Sequence, residues 1–254
     1  MKKIVFIINP HSGVGKYKNI APLIETYLDK TKFSYTICYT KYKKHAIELT
    51  QHAITNCVDI VVAVGGDGTI NEVASTLIHT DIALAMIPVG SGNGLARHLH
   101  IPINATKAIE VLNQEHSQYI DTLIVNKKFC VSITGIGFDA LVAKKFDKSM
   151  QKRGFFAYFR FIINSYFFYK QHSYVIETPE KTIHCKALLI DIANSSQWGF
   201  NVKISPKASL QDGKADICIV KKPRLGTLFA HIFMLLIGRL HKDTIIASIS
   251  HTSQ

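Results

Sequence analysis

The sequence predicts an α/β protein of two domains, a parallel-sheet domain over residues 1–122 and an antiparallel β-sandwich over residues 123–254. Three observations predict it. Short β-branched runs alternate with helix-compatible stretches through the first half, and a glycine-containing turn follows three of those runs. From about Tyr119 the strand-like runs become longer and more polar.

The early runs are Ile4–Ile8, Tyr35–Tyr39, Ile60–Val64 and Ala83–Ile87, each followed by residues at helical spacing. Parallel neighbours need a crossover connection, so this alternation builds a parallel sheet whose ligands bind beyond the carboxyl ends of its strands. The second half reads as strands Ile120–Val125, Phe129–Gly135, Ser173–Glu177, Thr182–Ala193, Ala215–Val220 and Thr244–Ile249. Two helical inserts interrupt it, the aromatic Phe155–Tyr169 and the apolar Leu225–Leu240. The latter is broken by His231 and Arg239 and falls short of the ~20 residues that span a bilayer, so no transmembrane helix is expected. No linker rich in Pro, Gly or Ser marks the boundary, and no internal repeat is present.

With 47% hydrophobic and 19% charged residues and no low-complexity tract, the chain reads as folded throughout. Its net charge of +12 favours an anionic partner: a nucleotide, a nucleic acid or an acidic membrane surface. The lysine clusters at 41, 43 and 44, at 144, 145 and 148, and at Lys221, Lys222 and Arg224 read as solvated faces. Five cysteines without a C-x-x-C pair read as reduced, buried thiols of a cytosolic protein. Met1-Lys2-Lys3 with Ile4–Ile8 mimics a signal peptide, but the apolar run is too short and reads as a first buried strand. The twelve histidines show no zinc-type spacing, and no nucleic-acid-binding module accompanies the positive charge.

The chemistry concentrates in the three turns. Gly65-Gly66-Asp67-Gly68-Thr69 precedes Ile70, Val73, Ala74 and Leu77 at helical spacing, so a glycine-rich turn opens a helix. Such a turn presents backbone N–H groups and the positive helix end to an anion, with no Cβ to hold phosphate oxygens away. Thr69 is expected as the helix cap, with Glu72 completing a capping box. An acid inside a phosphate loop makes sense if Asp67 polarises a hydroxyl or helps hold Mg²⁺; without that role the segment is a plain strand-to-helix turn. The second turn, Asn9-Pro10-His11-Ser12-Gly13-Val14-Gly15-Lys16, is not a Walker A loop, because Pro10 replaces its first glycine and Tyr17 its Ser or Thr. The third, Pro88-Val89-Gly90-Ser91-Gly92-Asn93-Gly94, leads into Leu95-Ala96-Arg97. Lys16 and Arg97 read as exposed cations. Convergence of three such turns on one sheet edge is what a nucleotide cleft requires.

Asn9-Pro-x-Ser-Gly13, Gly65-Gly-Asp-Gly-Thr69 with Asn71-Glu72, and Pro88-x-Gly-Ser-Gly-Asn93 with Ala96-Arg97 are followed by Gly135-x-Gly-Phe-Asp139. Asn194, Ser205-Pro206-x-Ala208 and Asp212-Gly213 complete the order. Across residues 4 to about 220 this series resembles the lipid kinase family of diacylglycerol, sphingosine and ceramide kinases and their bacterial relatives. The resemblance implies ATP and Mg²⁺ as cofactors and transfer of the γ-phosphate to a lipid hydroxyl. It implies ATP contacts from Asn9, Pro10, Ser12, Gly13 and Thr40, from Gly65, Gly66, Gly68, Thr69, Asn71 and Glu72, and from Ser91 and Asn93. Asp67 would lie beside the transferred phosphate, and Asp121 resembles a second catalytic acid, although a domain-joining turn suits it equally. Ser209, Asp212 and Lys214 resemble a loop that holds a structural Mg²⁺, whereas the bare sequence Asp212-Gly213 also suits a hairpin turn.

Gly94 stands where diacylglycerol kinases usually carry Asp, and Ser91 replaces a Thr, which is closer to sphingosine-kinase-like members. The acceptor is therefore open among diacylglycerol, a sphingoid base and related lipids. Family members continue past the Thr244–Ile249 strand to an Asp-Gly-Glu-like motif, so the second domain is expected to be incomplete at its C-terminus. The alternatives are an NAD kinase-like phosphotransferase and a non-catalytic protein that retains nucleotide or lipid binding. The expected partners are ATP, a lipid substrate and a membrane surface, not nucleic acid, with a homodimer left open and a cytoplasmic, peripherally membrane-associated location. The aromatic stretch Gly154–Tyr169, flanked by Lys152, Arg153 and Lys170, reads either as an interfacial helix or as core.

Overall fold

The computed structural model describes residues 1–13, 15–142, 164–223, 226 and 245–250. It divides into two compact units, one made of Met1–Tyr119 with Lys127–Val131, the other of Ile120–Asn126 with the described residues from Ser132 onward. Two three-residue strands near the exchange fall on opposite sides of it: β5 (Leu123–Val125) in the second unit and β6 (Lys128–Cys130) in the first.

In the first unit, β1 (Lys2–Ile8), β2 (Phe33–Tyr39), β3 (Ile60–Gly65) and β4 (Ala83–Pro88) form one parallel sheet in the order β2-β1-β3-β4. Every residue of β3 is buried, as expected of a central parallel strand covered on both faces. The crossovers carry α1 (Ile20–Tyr27), α2 (His45–Thr55) and α3 (Asp67–Leu77), and β4 is followed by α4 (Gly94–His98) and α5 (Ala105–Asn113). Ile4, Phe6 and Ile8 of β1 pack with Val62 and Val64 of β3, Ile20 and Ile24 of α1 and Ile109 of α5. Truncating a fully buried aromatic such as Phe6 to Ala in this layer costs about 3–5 kcal/mol. The Asn104 side chain caps α5 by accepting the Lys107 N–H at 3.1 Å. Register decides what happens at the sheet edge. Ile8 pairs with Tyr39 and Val64, and Val64 with Ile87, so the four strands end level and their following turns open along one edge.

The second unit is antiparallel. Strands β7 (Ile133–Gly137), β10 (Leu189–Ala193), β13 (Lys214–Val220) and β14 (Ile245–Ser250) form a sheet in the order β14-β13-β10-β7. Two hairpins accompany it, β8 (His172–Glu177) with β9 (Thr182–Ala187) and β11 (Gln197–Gly199) with β12 (Val202–Lys203). Ile190, Ile217 and Ile219 pack with Tyr174, Ile176 and Ile183 of the first hairpin, while Ala193 and Cys218 pack with Ile204 and Trp198.

The expected architecture is present, with several elements redrawn. Strand Ile120–Val125 shrinks to Leu123–Val125, because the Asp121 N–H goes instead to the Leu210 carbonyl at 2.6 Å. Phe129–Gly135 is two strands, β6 and β7. Thr182–Ala193 breaks at Leu188, whose N–H donates to Val220 and whose carbonyl accepts from Phe138. The thiols are not uniformly buried: Cys218 is, Cys57 is exposed at a left-handed φ of 49°, and Cys38, Cys130 and Cys185 lie between. Lys41, Lys43 and Lys44 are exposed as expected. The insert Leu225–Leu240, apart from Gly226, and residues 155–163 of the aromatic insert lie outside the described residues, as do Lys144, Lys145, Lys148, Lys152, Arg153 and Arg224. Among the described residues, no helix is long and apolar enough to cross a membrane.

Candidate active site

The turn after β1 is organised by Asn9. Its N–H donates to Val64 O at 2.9 Å, its carbonyl accepts from Ser12 N–H at 3.1 Å, and its Oδ1 accepts from His11 N–H at 2.9 Å. Pro10 occupies the second position of this turn, where its fixed φ is favoured, and Gly13 follows at φ 68°, a left-handed conformation suited to glycine. Ser12 is buried, and so is Thr40, whose N–H bonds Ile8 O at 2.9 Å at the neighbouring strand end.

Asn9 also reaches across the edge, donating Nδ2–H to Thr69 Oγ1 at 2.9 Å. The expected capping box is therefore not formed. Helix α3 starts at Asp67, with extended Gly66 at its N-cap and no side chain bonded there; Thr69 lies inside the first turn. Glu72 accepts instead from the Lys44 N–H at 3.3 Å, steadying a left-handed N-cap of α2. The physical reason is that Gly66 can extend and its carbonyl takes the Ile70 N–H at 3.1 Å, which lets the helix begin earlier. Its first-turn amides are left without a side-chain cap, the arrangement that suits an anion.

Glycine at Gly65 and Gly90 is required by close approach. Gly65 O accepts from both Val89 and Gly90 N–H groups, at 3.0 and 3.2 Å. A Cβ on Gly90 would stand 2.4 Å from Gly66 Cα and 2.7 Å from Asn93 Oδ1, and one on Gly65 would stand 2.5 Å from Thr69 Cβ. Gly68 differs, since a Cβ there would meet no protein atom within 4 Å.

The turn after β4 folds back over Asp67. Asn93, buried and at φ 56°, donates Nδ2–H to Gly90 O at 2.8 Å, and Leu95 N–H approaches Asp67 Oδ1 at 3.4 Å. Burial raises the Asp67 carboxyl above the ordinary carboxylate range, opposed in part by the backbone amides of Leu95, Asn93 and Gly94. Arg97 is not the exposed cation expected: it is half-buried, and its Nε–H donates to Gly92 O at 3.1 Å, which closes this turn. Ser91 is exposed at the tip. Asn71 faces another task, accepting the Val131 N–H at 3.1 Å and holding the β6 segment to α3. One edge thus gathers Asn9, Pro10, Ser12, Gly13, Thr40, Gly65, Gly66, Asp67, Gly68, Thr69, Ser91 and Asn93, whereas the side chains of Asn71 and Glu72 are engaged elsewhere. The residues fit a Mg²⁺–nucleotide. Asn93 Oδ1 is a buried oxygen without a hydrogen-bond partner, and with the Asp67 carboxylate it supplies the hard donors that Mg²⁺ takes.

Asp121 belongs to the second unit with Ser209, Asp212 and Lys214. Its Oδ2 accepts from Gly213 N–H at 2.8 Å, while Asp212 Oδ1 accepts from Lys214 N–H at 3.1 Å and Ser209 Oγ from Gln211 N–H at 3.2 Å. Gly213, at φ 66°, makes the turn. Among the described residues, no group of three or more His, Cys, Asp or Glu side chains is placed to hold a metal.

A buried acid pair was not foreseen. Asp191, fully buried in β10, receives the Trp198 Nε1–H at 2.7 Å and interacts with Asp139; burial and mutual repulsion hold its carboxyl well above the ordinary range. Gly135 is the glycine this pair needs, because a Cβ there would fall 1.8 Å from Asp191 Oδ1. The available signal was an acid inside the apolar run Leu189-Ile-Asp-Ile-Ala193.

Comparison with known proteins agrees with this layout. The diacylglycerol kinase catalytic domain family matches residues 3–125, and the YegS C-terminal NAD kinase beta sandwich-like domain matches residues 132–250. Diacylglycerol kinases of Staphylococcus saprophyticus and Staphylococcus haemolyticus are each 28% identical over 92% of this chain, covering 77% and 72% of their own lengths. A crystal structure of a diacylglycerol kinase from Bacillus anthracis shares the fold with a TM-score of 0.72 at 23% identity, over 98% of this chain and 84% of its own.

Proposed function

The chain belongs to the diacylglycerol kinase family, and on that premise we propose that it transfers the γ-phosphate of ATP, with Mg²⁺, to the hydroxyl of a lipid. The observation that carries this reading is the α3 N-terminus, with no side-chain cap and with Asp67 beside it under the amides of residues 93–95. Phosphate oxygens would be held by first-turn amides of α3, approached closely because Gly68 leaves open space. The turns bearing Ser12 and Ser91 would position the remaining phosphates. Bound Mg²⁺ supplies charge neutralisation as the phosphoryl group moves, and Asp67 and Asn93 would hold it.

Asp67 takes the proton of the acceptor hydroxyl as its oxygen bonds the γ-phosphorus and the bond to ADP breaks. Diacylglycerol, a sphingoid base or a related lipid is the acceptor class, and Gly94 and Ser91 are the positions that bear on the choice. Ser209, Asp212 and Lys214 would hold a structural Mg²⁺ in the second unit, with Asp121 steadying their loop through the Gly213 N–H. The enzyme works in the cytoplasm at a membrane surface, where its acceptor resides.

The test is Mg²⁺-dependent transfer of labelled γ-phosphate to diacylglycerol, sphingosine and NAD, comparing the chain with Asp67→Asn. Lipid labelling that Asp67→Asn abolishes is expected. Labelling of NAD alone would overturn the lipid acceptor, and full activity of Asp67→Asn would overturn the base.

A further inference from the structure

We propose that Arg97 is a positioning residue of the nucleotide site: by holding the Gly92 carbonyl, its side chain keeps Asn93 in the left-handed conformation that offers Oδ1 to Mg²⁺. This rests on the reading of a Mg²⁺–ATP site and adds the residue that orders it. Asn93 is costly as it stands. It adopts a φ of 56°, it is 1% exposed, and its Oδ1 is buried without a hydrogen-bond partner. Its Nδ2–H donates to Gly90 O at 2.8 Å, so the amide cannot turn over without setting two oxygens against each other. That bond fixes the side chain and leaves the backbone to be held.

Two peptide planes flank Asn93, and Arg97 holds both. Its backbone N–H donates to Asn93 O at 3.0 Å, and its Nε–H donates to Gly92 O at 3.1 Å. The first bond belongs to the α4 backbone and survives a change of side chain; the second is the guanidinium's own. Peptide groups are planar and rigid, so the dihedral angles of Asn93 are set once the planes on either side of it are pinned. The Asn93 N–H lies in the plane held through Gly92 O and bears on the Asp67 carboxyl. Releasing Gly92 O therefore frees φ of Asn93 and carries away its N–H and its Oδ1 together. Arg97 is half-buried beside this turn, where a donor at the Nε position is what the Gly92 carbonyl needs. Gln places its amide nitrogen at the same distance along the side chain, whereas Lys has a methylene there and carries its charge one atom further out. Met has a methyl group at that position.

The experiment compares the full chain with Arg97→Gln, Arg97→Lys and Arg97→Met, each checked for folding by a thermal melt. Amide hydrogen exchange is followed first, without nucleotide or Mg²⁺. The amides of residues 93–95 are expected to exchange on the order of tenfold faster in the Lys and Met variants, and at close to the wild-type rate in the Gln variant. Calorimetric titration of ATP with and without Mg²⁺ comes next. The Lys and Met variants should bind Mg²⁺–ATP about tenfold more weakly while ATP alone stays within about threefold of wild type, and Gln should restore most of the loss. In an Asn93→Gly background, which keeps the left-handed turn and removes the oxygen, Arg97→Met should cost Mg²⁺–ATP no further affinity. Unchanged exchange in the Met variant overturns the inference. So does a Lys variant that binds better than the Gln variant, or ATP alone weakened as much as Mg²⁺–ATP, because either assigns the guanidinium to a phosphate. A wild-type chain that binds no Mg²⁺–ATP refutes the nucleotide reading, while faster exchange in the Lys and Met variants still supports Arg97 as the residue that orders the turn.

Discussion

Gly68 and Gly90 look alike in the sequence, and the structure predicts opposite consequences for replacing them with Ala. At Gly90 the new Cβ would stand 2.4 Å from Gly66 Cα, where carbon atoms prefer about 3.5–4.0 Å, so the turns after β3 and β4 must separate by roughly 1 Å. The Gly66 atoms are backbone and cannot swing away. Overpacking of this kind costs about 1–3 kcal/mol and should lower the Tm by several degrees. A shift of about 1 Å at a site that positions a reacting phosphate can cost on the order of a hundredfold in transfer. At Gly68 the Cβ meets no protein atom within 4 Å and the residue is helical, so Ala should stabilise by about 0.5–1 kcal/mol and raise the Tm by roughly 1–3 °C. Yet that methyl projects into the space assigned to phosphate, so ATP should bind about tenfold more weakly, a difference of about 1.4 kcal/mol. Thermal melts with calorimetric titration of Mg²⁺–ATP separate the two effects. A Gly68→Ala protein that binds ATP normally refutes phosphate approach at this helix end, and an unchanged Tm for Gly90→Ala refutes the close packing of the two turns.

Three further perturbations follow from the same contacts. Asn71→Ala removes the acceptor used by the Val131 N–H and should destabilise the first unit by about 1–2 kcal/mol, measured by urea unfolding; a change within error would show that the bridge contributes nothing. Asp139 and Asp191 have carboxyls raised by burial, so folding favours their protonated forms. That stabilisation is complete below the ordinary carboxylate range and is lost as pH rises through the raised values; Asp191→Asn, neutral throughout, should therefore show a flatter fall of Tm across that window. Equal slopes in the two proteins would count against the pair. Asp121→Asn combined with Asp212→Asn should abolish Mg²⁺-dependent stabilisation of the second unit, read as the Tm increment on adding Mg²⁺, and an unaltered increment would leave the 209–214 loop an ordinary turn.

Much of the molecule follows from local pattern. The parallel sheet was legible because β-branched runs separated by crossover-length helices admit few other arrangements, and the glycine turns fell where such strands end. Local pattern failed where a residue's partner is distant in sequence. Thr69 and Glu72 spell a capping box, but Asn9 and Lys44 claim their side chains from 60 and 28 residues away. Asn71 looked like part of the nucleotide turn and instead secures a segment beyond the first domain's expected boundary.

By itself, then, the sequence determined the class of each half, the order of the strands along the chain and the glycine-containing turns that follow the parallel strands. These depend on periodicity and on backbone freedom within a few residues. Only the tertiary structure decided that Gly66 and Gly90 touch, that Asp121 joins the 209–214 loop, and that Gly135 makes room for Asp191. Each of those depends on which backbones approach one another after folding, a long-range choice that no short window of residues contains.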